Sequence, residues 1–373
     1  MSITPCREKW KGTMTQRERF NAQMHYRPFD RSVNVEFGYW DENFTEWEVF
    51  RENGITNNNE AHEFFNFDIM PSVGGKTWIN PPFEEEVIEE TEDKKVFRNG
   101  DGVIGEIPKD GHSTIPHFTD TTVKKPDDWK RVKEERFRLD DPERRIDVEE
   151  IKLKHPSDRT YPLGVGTGSM IGKIRDMLSI EGLAYSVVDY PDMVEDMVET
   201  CCQLVEHSLD QLLPHIDFDF ACGWEDISCN TGPLVSMDFF KNAVLPRYKR
   251  IGQKLNQYGI DIWYTDSDGD IRPLIPYFLE AGLNTMFPWE VNGSDHPGKT
   301  LDEYGQQLRI IGGVDKMQLR KDKSAIREYL ESLAPYVERG GFIPHVDHRC
   351  PPDVSPENYF YYLDVKEELF GMQ

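Results

Sequence analysis

Short apolar runs alternate with longer amphipathic segments along most of the 373 residues, and this alternation constrains the fold more than any other feature. Runs of this length separated by helices are typical of a parallel sheet, and a count of eight predicts a closed (β/α)8 TIM barrel. An open, doubly wound sheet remains the alternative. The eight runs are residues 32–37, 64–70, 162–165, 218–222, 260–264, 284–289, 308–313 and 341–346.

Several of the intervening segments carry apolar residues at helical spacing. Met193, Met197, Cys201 and Leu204, for example, form a stripe along one helical face, and Pro191 suits the first turn of that helix. The pattern predicts helices over residues 191–213, 237–258, 272–281 and 323–339.

Residues 84–108 break this pattern. Apolar and polar residues alternate on either side of a turn at Asn99-Gly100-Asp101-Gly102, and this alternation predicts an acidic β-hairpin. Residues 127–145 predict a charged, exposed helix. We therefore expect a single barrel domain over residues 1–373, with an inserted edge subdomain at about 83–153, after the second strand.

The charge balance excludes several classes of partner. Lys and Arg number 43 and Asp and Glu number 68, so the formal net charge is −25. Phosphate and anionic lipid surfaces require clustered cations, so we expect no nucleic-acid or membrane partner. No apolar stretch approaches the roughly 20 residues of a membrane span, and no secretory signal is expected at the N-terminus. The six cysteines lack a CxxC pair, which favours the cytoplasm.

Nearly every predicted strand is followed by a carboxylate. The active site of a (β/α)8 barrel forms at the carboxyl ends of its strands, so we expect these residues to share one rim together with nearby aromatic side chains. The candidates for catalysis are Asp68, Asp266, Asp268, Glu290 and His348. The candidates for binding a small-molecule substrate are Glu36, Tyr39, Trp40, Glu225, Asp226, Tyr264, Trp289 and Asp315.

Such a ring of acids must be neutralised by a cation, a cationic or polyhydroxyl ligand, shared protons or basic side chains. Asp266 and Asp268 are two residues apart at a strand end and face one side, so Glu290 and His348 from other strands could complete a zinc-type site. The alternative is that individual acids cap helix N-termini. His345 lies three residues before His348, so it should face the opposite side.

Taken together, these motifs resemble the uroporphyrinogen decarboxylase superfamily of (β/α)8 barrels, and the resemblance covers most of the chain. Phe67-Asp68-Ile69 is similar to the family's second-strand aspartate motif, and Gly312-Gly313-Val314-Asp315-Lys316 resembles its seventh-strand region. The most specific stretch is residues 347–359, which resembles the turn from the eighth strand into the last helix.

The superfamily contains both decarboxylases and corrinoid-dependent methyltransferases, and this chain departs from each. The first-strand loop that carries arginine in the decarboxylases is Phe37-Gly38-Tyr39-Trp40 here. An acidic rim would also repel a porphyrinogen with many carboxylates. The thiolate-containing zinc site of the methyltransferases falls roughly on Asp266, Asp268 and the region of Asp347 and His348, so any metal here would be held by harder ligands.

The resemblance therefore implies a substrate:corrinoid methyltransferase-like enzyme that removes a methyl group from a small methoxy or methylamine compound. It implies a corrinoid carried by a partner protein, and a homodimer is a further expectation. One alternative is a uroporphyrinogen decarboxylase-like lyase acting on a small or porphyrin-type carboxylate, in which Asp68 would stabilise a protonated intermediate. Another is a non-catalytic binding protein.

Overall fold

Parallel strands dominate the structure, a computed structural model that describes residues 3–109 and 116–371. In chain order the described strands are β1 (Ser72–Val73), β2 (Glu86–Glu90), β3 (Lys94–Arg98), β4 (Ile104–Pro108), β5 (His117–Asp120), β6 (Gly164–Gly166), β7 (Phe220–Trp224), β8 (Ser228–Cys229), β9 (Gly232–Pro233), β10 (Trp263–Asp266), β11 (Thr285–Trp289), β12 (Arg309–Val314) and β13 (Phe342–Val346).

Helices follow most strands of the main sheet. In chain order they are α1 (Gln16–Met24), α2 (Asp41–Glu46), α3 (Glu48–Asn53), α4 (Asn58–Phe65), α5 (Pro126–Arg136), α6 (Val148–Lys154), α7 (Gly172–Leu178), α8 (Ile180–Asp189), α9 (Pro191–Leu212), α10 (Met237–Phe239), α11 (Leu245–Gln257), α12 (Ile275–Ala281), α13 (Pro297–Tyr304), α14 (Lys316–Leu319), α15 (Lys323–Arg339) and α16 (Pro356–Phe370). Short 3₁₀ turns occur at Pro142–Arg144, Arg272–Leu274 and Gly305–Gln307.

The main sheet contains seven of the described strands, all parallel, in the order β1-β6-β7-β10-β11-β12-β13. This order follows the chain, as successive strand–helix units require. Among the described residues the two edge strands, β1 and β13, do not pair with each other. The predicted mixed α/β fold with a large parallel sheet is therefore confirmed.

Six of the eight predicted strands are confirmed, and the first is wrong as a regular strand. Residues 32–37 are extended, but side chains satisfy part of their backbone: Gln23 accepts from Val33 N (2.8 Å) and Asp68 accepts from Asn34 N (2.9 Å). Residues 34–38 are hydrogen-bonded to the chain before β1, where Asp68 N donates to Asn34 O, and to the chain after β13, where Cys350 N donates to Gly38 O, both at 2.8 Å. An isolated parallel bridge joins Tyr39 to Cys350.

The second predicted strand, residues 64–70, is also wrong. Helix α4 continues through Phe65 and ends at Asn66, whose backbone is left-handed (φ 57°). The sheet strand β1 begins only at Ser72. A short apolar run does not distinguish a buried helix end from a strand, which is the reason for the error.

The four predicted helices are confirmed, with local changes in two. Helix α15 matches the prediction and α9 ends one residue earlier. The segment 237–258 contains a π-helical turn at Phe240–Val244, between α10 and α11. The segment 272–281 begins with a 3₁₀ turn before α12.

The predicted acidic hairpin is part of a larger antiparallel sheet, β2-β3-β4-β5, inserted between β1 and β6 in the chain. The predicted turn at residues 99–102 joins β3 to β4. The helix expected over residues 127–145 is shorter: α5 ends at Arg136, and Phe137 leaves the helical conformation. The assignment of residues 1–373 to a single domain stays a prediction.

Buried side chains cover both faces of the main sheet, which explains why its strands are largely apolar. The larger core lies between the sheet and the outer helices. A smaller core lies on the other face, where α1 contributes Phe20, whose ring is 5.3 Å from that of Phe220. No described helix is long and apolar enough to cross a membrane. The six cysteines are free thiols.

Candidate functional site

A cavity of about 910 Å³ adjoins the smaller core. Tyr264, Phe287, Ile311 and His345 line it from the strands β10 to β13, and Ile311 also belongs to the smaller core. The opposite wall comes from the N-terminal segment, residues 35–37 and residues between 59 and 71. The cavity therefore lies on the face of the sheet opposite the outer helices.

Asp266 is two residues beyond Tyr264 on β10, so the two side chains face the same side of the sheet. Burial and, less strongly, the carboxylates of Asp268 and Asp226 raise the pKa of Asp266 to about 7, against the opposing charges of His348 and Arg349. Asp266 therefore keeps its proton to a higher pH than an exposed aspartic acid does. A carboxyl group in this state can act as a general acid.

His348 lies beside Asp268, with 3.3 Å between Nε2 and Oδ2. Burial alone would lower the pKa of His348, but the hydrogen bond and charge of Asp268 outweigh it and the pKa is raised. The rings of Phe37 and Trp40 lie 5.2 and 5.6 Å from the imidazole. The pair is thus polar at its centre and flanked by aromatic surface.

Lys316 holds two further carboxylates at this edge of the sheet. Its Nζ lies 3.0 Å from Glu290 and 3.4 Å from Asp347. Burial raises the pKa of Asp347 to about 6, against the charge of Lys316. Glu290 also accepts a hydrogen bond from the backbone N of Gly269 (3.0 Å).

The four predicted metal ligands do not form one ligand set. Asp268 is directed to His348, whereas Glu290 is directed to the ammonium group of Lys316. Among residues 3–109 and 116–371, no three His, Cys, Asp or Glu side chains are grouped as a metal ion requires. In this arrangement the residues do not fit the predicted zinc ion, because a cation already neutralises part of the set.

Glu225 and Asp226 follow β7 as predicted, but both are used within the protein. Glu225 is buried and accepts hydrogen bonds from the backbone N of Ile171 (2.7 Å) and Gly172 (2.9 Å), so it caps the start of α7. Asp226 accepts from Arg175 at 2.6 Å. The interpretation of Glu225 as a substrate ligand is therefore wrong, and the capping alternative describes it.

Three other predicted binding residues also have structural roles. Tyr39 is buried and its hydroxyl lies 2.7 Å from that of Tyr359. Trp289 is buried and donates from Nε1 to a backbone carbonyl (2.8 Å). Asp315 caps α14 by accepting from Met317 N (2.8 Å). These three side chains are therefore not at the rim: Tyr39 and Trp289 are packed in the core, and Asp315 caps a helix.

Glu36 and Asp68 line the cavity, but each carboxylate is neutralised from behind. Lys366 of α16 donates to Glu36 at 2.6 Å and is itself fully buried. Arg31 donates two hydrogen bonds to Asp68, from Nη1 at 2.7 Å and from Nη2 at 3.1 Å. Burial would raise the pKa of Asp68, but the hydrogen bonds and charge of Arg31 lower it overall. Asp68 is thus an ionised partner in a buried ion pair.

The sequence missed His345 and His62 as cavity residues. The alternation rule placed His345 away from His348, but β13 ends at Val346, so the rule does not extend to His348. The ring of Phe37 lies 6.2 Å from that of His345 and 5.2 Å from that of His348, so the two histidines share one side. His62 lies in α4, and no helix was predicted there because the end of α4 was assigned to a strand at residues 64–70.

Comparison with known proteins shows the fold alone. The chain is similar to a methyltransferase from Methanosarcina mazei, with a TM-score of 0.58 and 13% sequence identity over 96% of this chain and 100% of that chain. No protein-family model matches the chain, and no curated protein matches it in sequence. The resemblance to the uroporphyrinogen decarboxylase superfamily stays a prediction.

Proposed function

We propose that this chain is an enzyme that transfers a methyl group from a small methoxy or methylamine compound to a corrinoid carried by a partner protein. The observation that carries the proposal is Asp266, a largely buried carboxyl group with a pKa near 7. It ends β10 two residues after Tyr264, which lines the aromatic cavity. The fold likeness to a methyltransferase supports it.

The roles of the residues follow from their positions. A corrinoid bound to its carrier would supply the nucleophile that accepts the methyl carbon, while the electron pair of the broken bond stays on the leaving oxygen or nitrogen. Asp266 holds a proton for a leaving oxygen, which would otherwise depart as an anion. Asp268 pairs with His348, and its negative charge favours the protonated form of Asp266 more than the charge of His348 opposes it. The rings of Phe37 and Trp40 lie against the imidazole of His348.

A closed barrel is part of this proposal, with residues 32–40 in the place of the eighth strand. Their hydrogen bonds to Asp68 on one side and Cys350 on the other support it. In such a barrel the carrier would approach the end where β10 and β13 deliver Asp266 and His348.

The lyase alternative has less support. A carboxylate substrate calls for arginine side chains in its pocket, and none is among the described residues that line the cavity. Asp68, its expected catalytic group, is already paired with Arg31 and with Lys9. Asp68 therefore already has two cationic partners and is not a free carboxylate that could stabilise a protonated intermediate.

The test is methyl transfer to free cob(I)alamin from a panel of methoxy and methylamine compounds, measured for wild type and Asp266→Asn. We expect activity in wild type and a loss of about 100-fold to 10,000-fold in the variant. Asp270→Asn is the matched control, because Asp270 lies in the same loop but pairs with Arg272 (2.7 Å). Absence of transfer from every compound, or full activity in Asp266→Asn, contradicts the proposal.

A further inference from the structure

Two of the carboxylates in the cavity wall carry no unmatched negative charge. Glu36 is held by Lys366, and Asp68 by Arg31 and by Lys9, whose Nζ lies 3.3 Å from it. The third acid of the wall, Glu63, is exposed to solvent. A cationic ligand in the cavity would therefore find no buried carboxylate free to pair with it.

Two uncharged imidazoles stand in the same wall. Burial lowers the pKa of His345 to about 4, and burial also lowers the pKa of His62. Nδ1 of His345 lies 2.6 Å from the carbonyl oxygen of Val346. Because a carbonyl only accepts, Nδ1 carries the proton, and Nε2 is left as a hydrogen-bond acceptor.

His62 supplies an independent sign of a missing partner. Its Nε2 is buried and has no hydrogen-bond partner among the described residues. Buried polar atoms are usually paired, so an unpaired one in a cavity wall indicates a ligand or water that completes it.

The apolar part of the wall is aromatic. The ring of Phe287 lies 5.3 Å from that of Phe37 and 4.9 Å from that of Tyr264. Such surfaces bind flat rings by stacking and edge contacts. Aromatic walls and uncharged acceptors occur together here, and no buried carboxylate of the wall lacks a cation, because Asp68 has two of them, Arg31 and Lys9.

We infer that the cavity binds an aromatic molecule that bears a hydroxyl group and no positive charge, and that Nε2 of His345 accepts the hydrogen bond from that hydroxyl. The inference rests on the proposed function in that it narrows the methyl donor to a hydroxylated aryl methyl ether. In this assignment His345 is a specificity-determining residue, and Asp266 remains the proton donor.

The experiment measures binding by calorimetry to the whole protein without corrinoid, using 2-methoxyphenol, methoxybenzene and tetramethylammonium. We expect 2-methoxyphenol to bind about tenfold more tightly than methoxybenzene, the effect of one hydrogen bond. Tetramethylammonium should not bind. Equal or tighter binding of tetramethylammonium, or no binding of 2-methoxyphenol, overturns the inference.

Variants assign the hydrogen bond to His345. In His345→Phe the preference for 2-methoxyphenol over methoxybenzene should fall to about onefold while methoxybenzene still binds, and His345→Gln should restore part of it. His155→Phe, outside the cavity, should leave the preference unchanged. A preference kept in His345→Phe overturns the role of His345, and the wild-type panel decides the ligand class if this variant does not fold.

Methyl transfer to cob(I)alamin, measured separately, distinguishes the two proposals. Binding of 2-methoxyphenol without transfer from any donor supports the ligand inference and contradicts the proposed function. Transfer from methylamines alone supports the proposed function and overturns the inference.

Discussion

Nε2 of His348 lies 3.3 Å from Oδ2 of Asp268, so the segment after β13 and the segment after β10 meet through one ion pair. The positive charge that this pair keeps on His348 acts on Asp266, whose pKa it lowers against the effect of burial. The protonation of these side chains is therefore coupled, and each can be tested through the other.

The pKa of His348 should fall in Asp268→Asn. Burial lowers the pKa of His348 and Asp268 raises it, so removing the carboxylate charge leaves burial to dominate. The measurement is NMR titration of the imidazole Cε1–H signal. Asp270→Asn should leave the titration unchanged, since Asp270 is bound to Arg272. An unchanged His348 pKa in Asp268→Asn would show that this pair does not form.

Methyl transfer should decrease as the pH rises through about 7. The active form carries a proton on Asp266, and this proton is lost above its raised pKa. Asp266→Asn should show a low rate without this decrease. A wild-type rate that increases between pH 7 and 9 would contradict the role of Asp266 as proton donor.

The same carboxyl group should make the fold less stable at high pH. The folded pKa is above the unfolded value, so the native state binds more protons and its stability is lost as the pH rises through about 7. At pH 8 Asp266→Asn should be more stable than wild type, by on the order of 2–4 kcal/mol, with no gain below about pH 4. Urea unfolding at both pH values measures the difference, and a gain of equal size at both would contradict this cause.

Lys366→Met should destabilise the protein by about 3–5 kcal/mol, because Glu36 would be buried without its cation. The double variant Glu36→Gln with Lys366→Met should recover most of this loss. Lys323→Met, which removes an exposed pair with Glu357, should leave the urea midpoint unchanged. A double variant as unstable as the single one would show that the Lys366 side chain contributes by packing rather than by charge.

Glu225→Gln should lower stability by about 1–3 kcal/mol because a hydrogen-bonded carboxylate oxygen at the start of α7 is lost. The KM for methyl transfer should not change, since Glu225 is buried and both of its oxygens accept hydrogen bonds from backbone N–H groups. A large change in KM with unchanged stability would restore the interpretation of Glu225 as a substrate ligand.

The regular part of the sheet could be predicted from the sequence because its strands are short apolar runs bounded by helices. The N-terminal part could not, for two physical reasons. Residues 32–37 use the side chains of Gln23 and Asp68 as backbone partners, which no periodicity reveals. Residues 64–70 combine a helix end with an extended stretch, and their apolar pattern fits both.

The rim was predictable where a side chain lies directly at a strand end, as for Asp266, or just after it, as for His348. It was not predictable where an acid has a local use. Asp315 caps a helix and Glu225 caps another, and both uses depend on the helix that follows rather than on the strand before. Lys316 neutralises two rim acids, but the sequence indicated only that basic side chains could do so and not which one does.

The buried pair of Glu36 and Lys366 spans 330 positions of the chain. During synthesis on the ribosome, Glu36 is made early, and its counter-ion Lys366 is added only when α16 is translated. The wall of the cavity that contains Glu36 is therefore electrostatically incomplete in every nascent chain that lacks α16. A ligand of this cavity should therefore bind the chain once α16 is in place, and not forms that are truncated before Lys366.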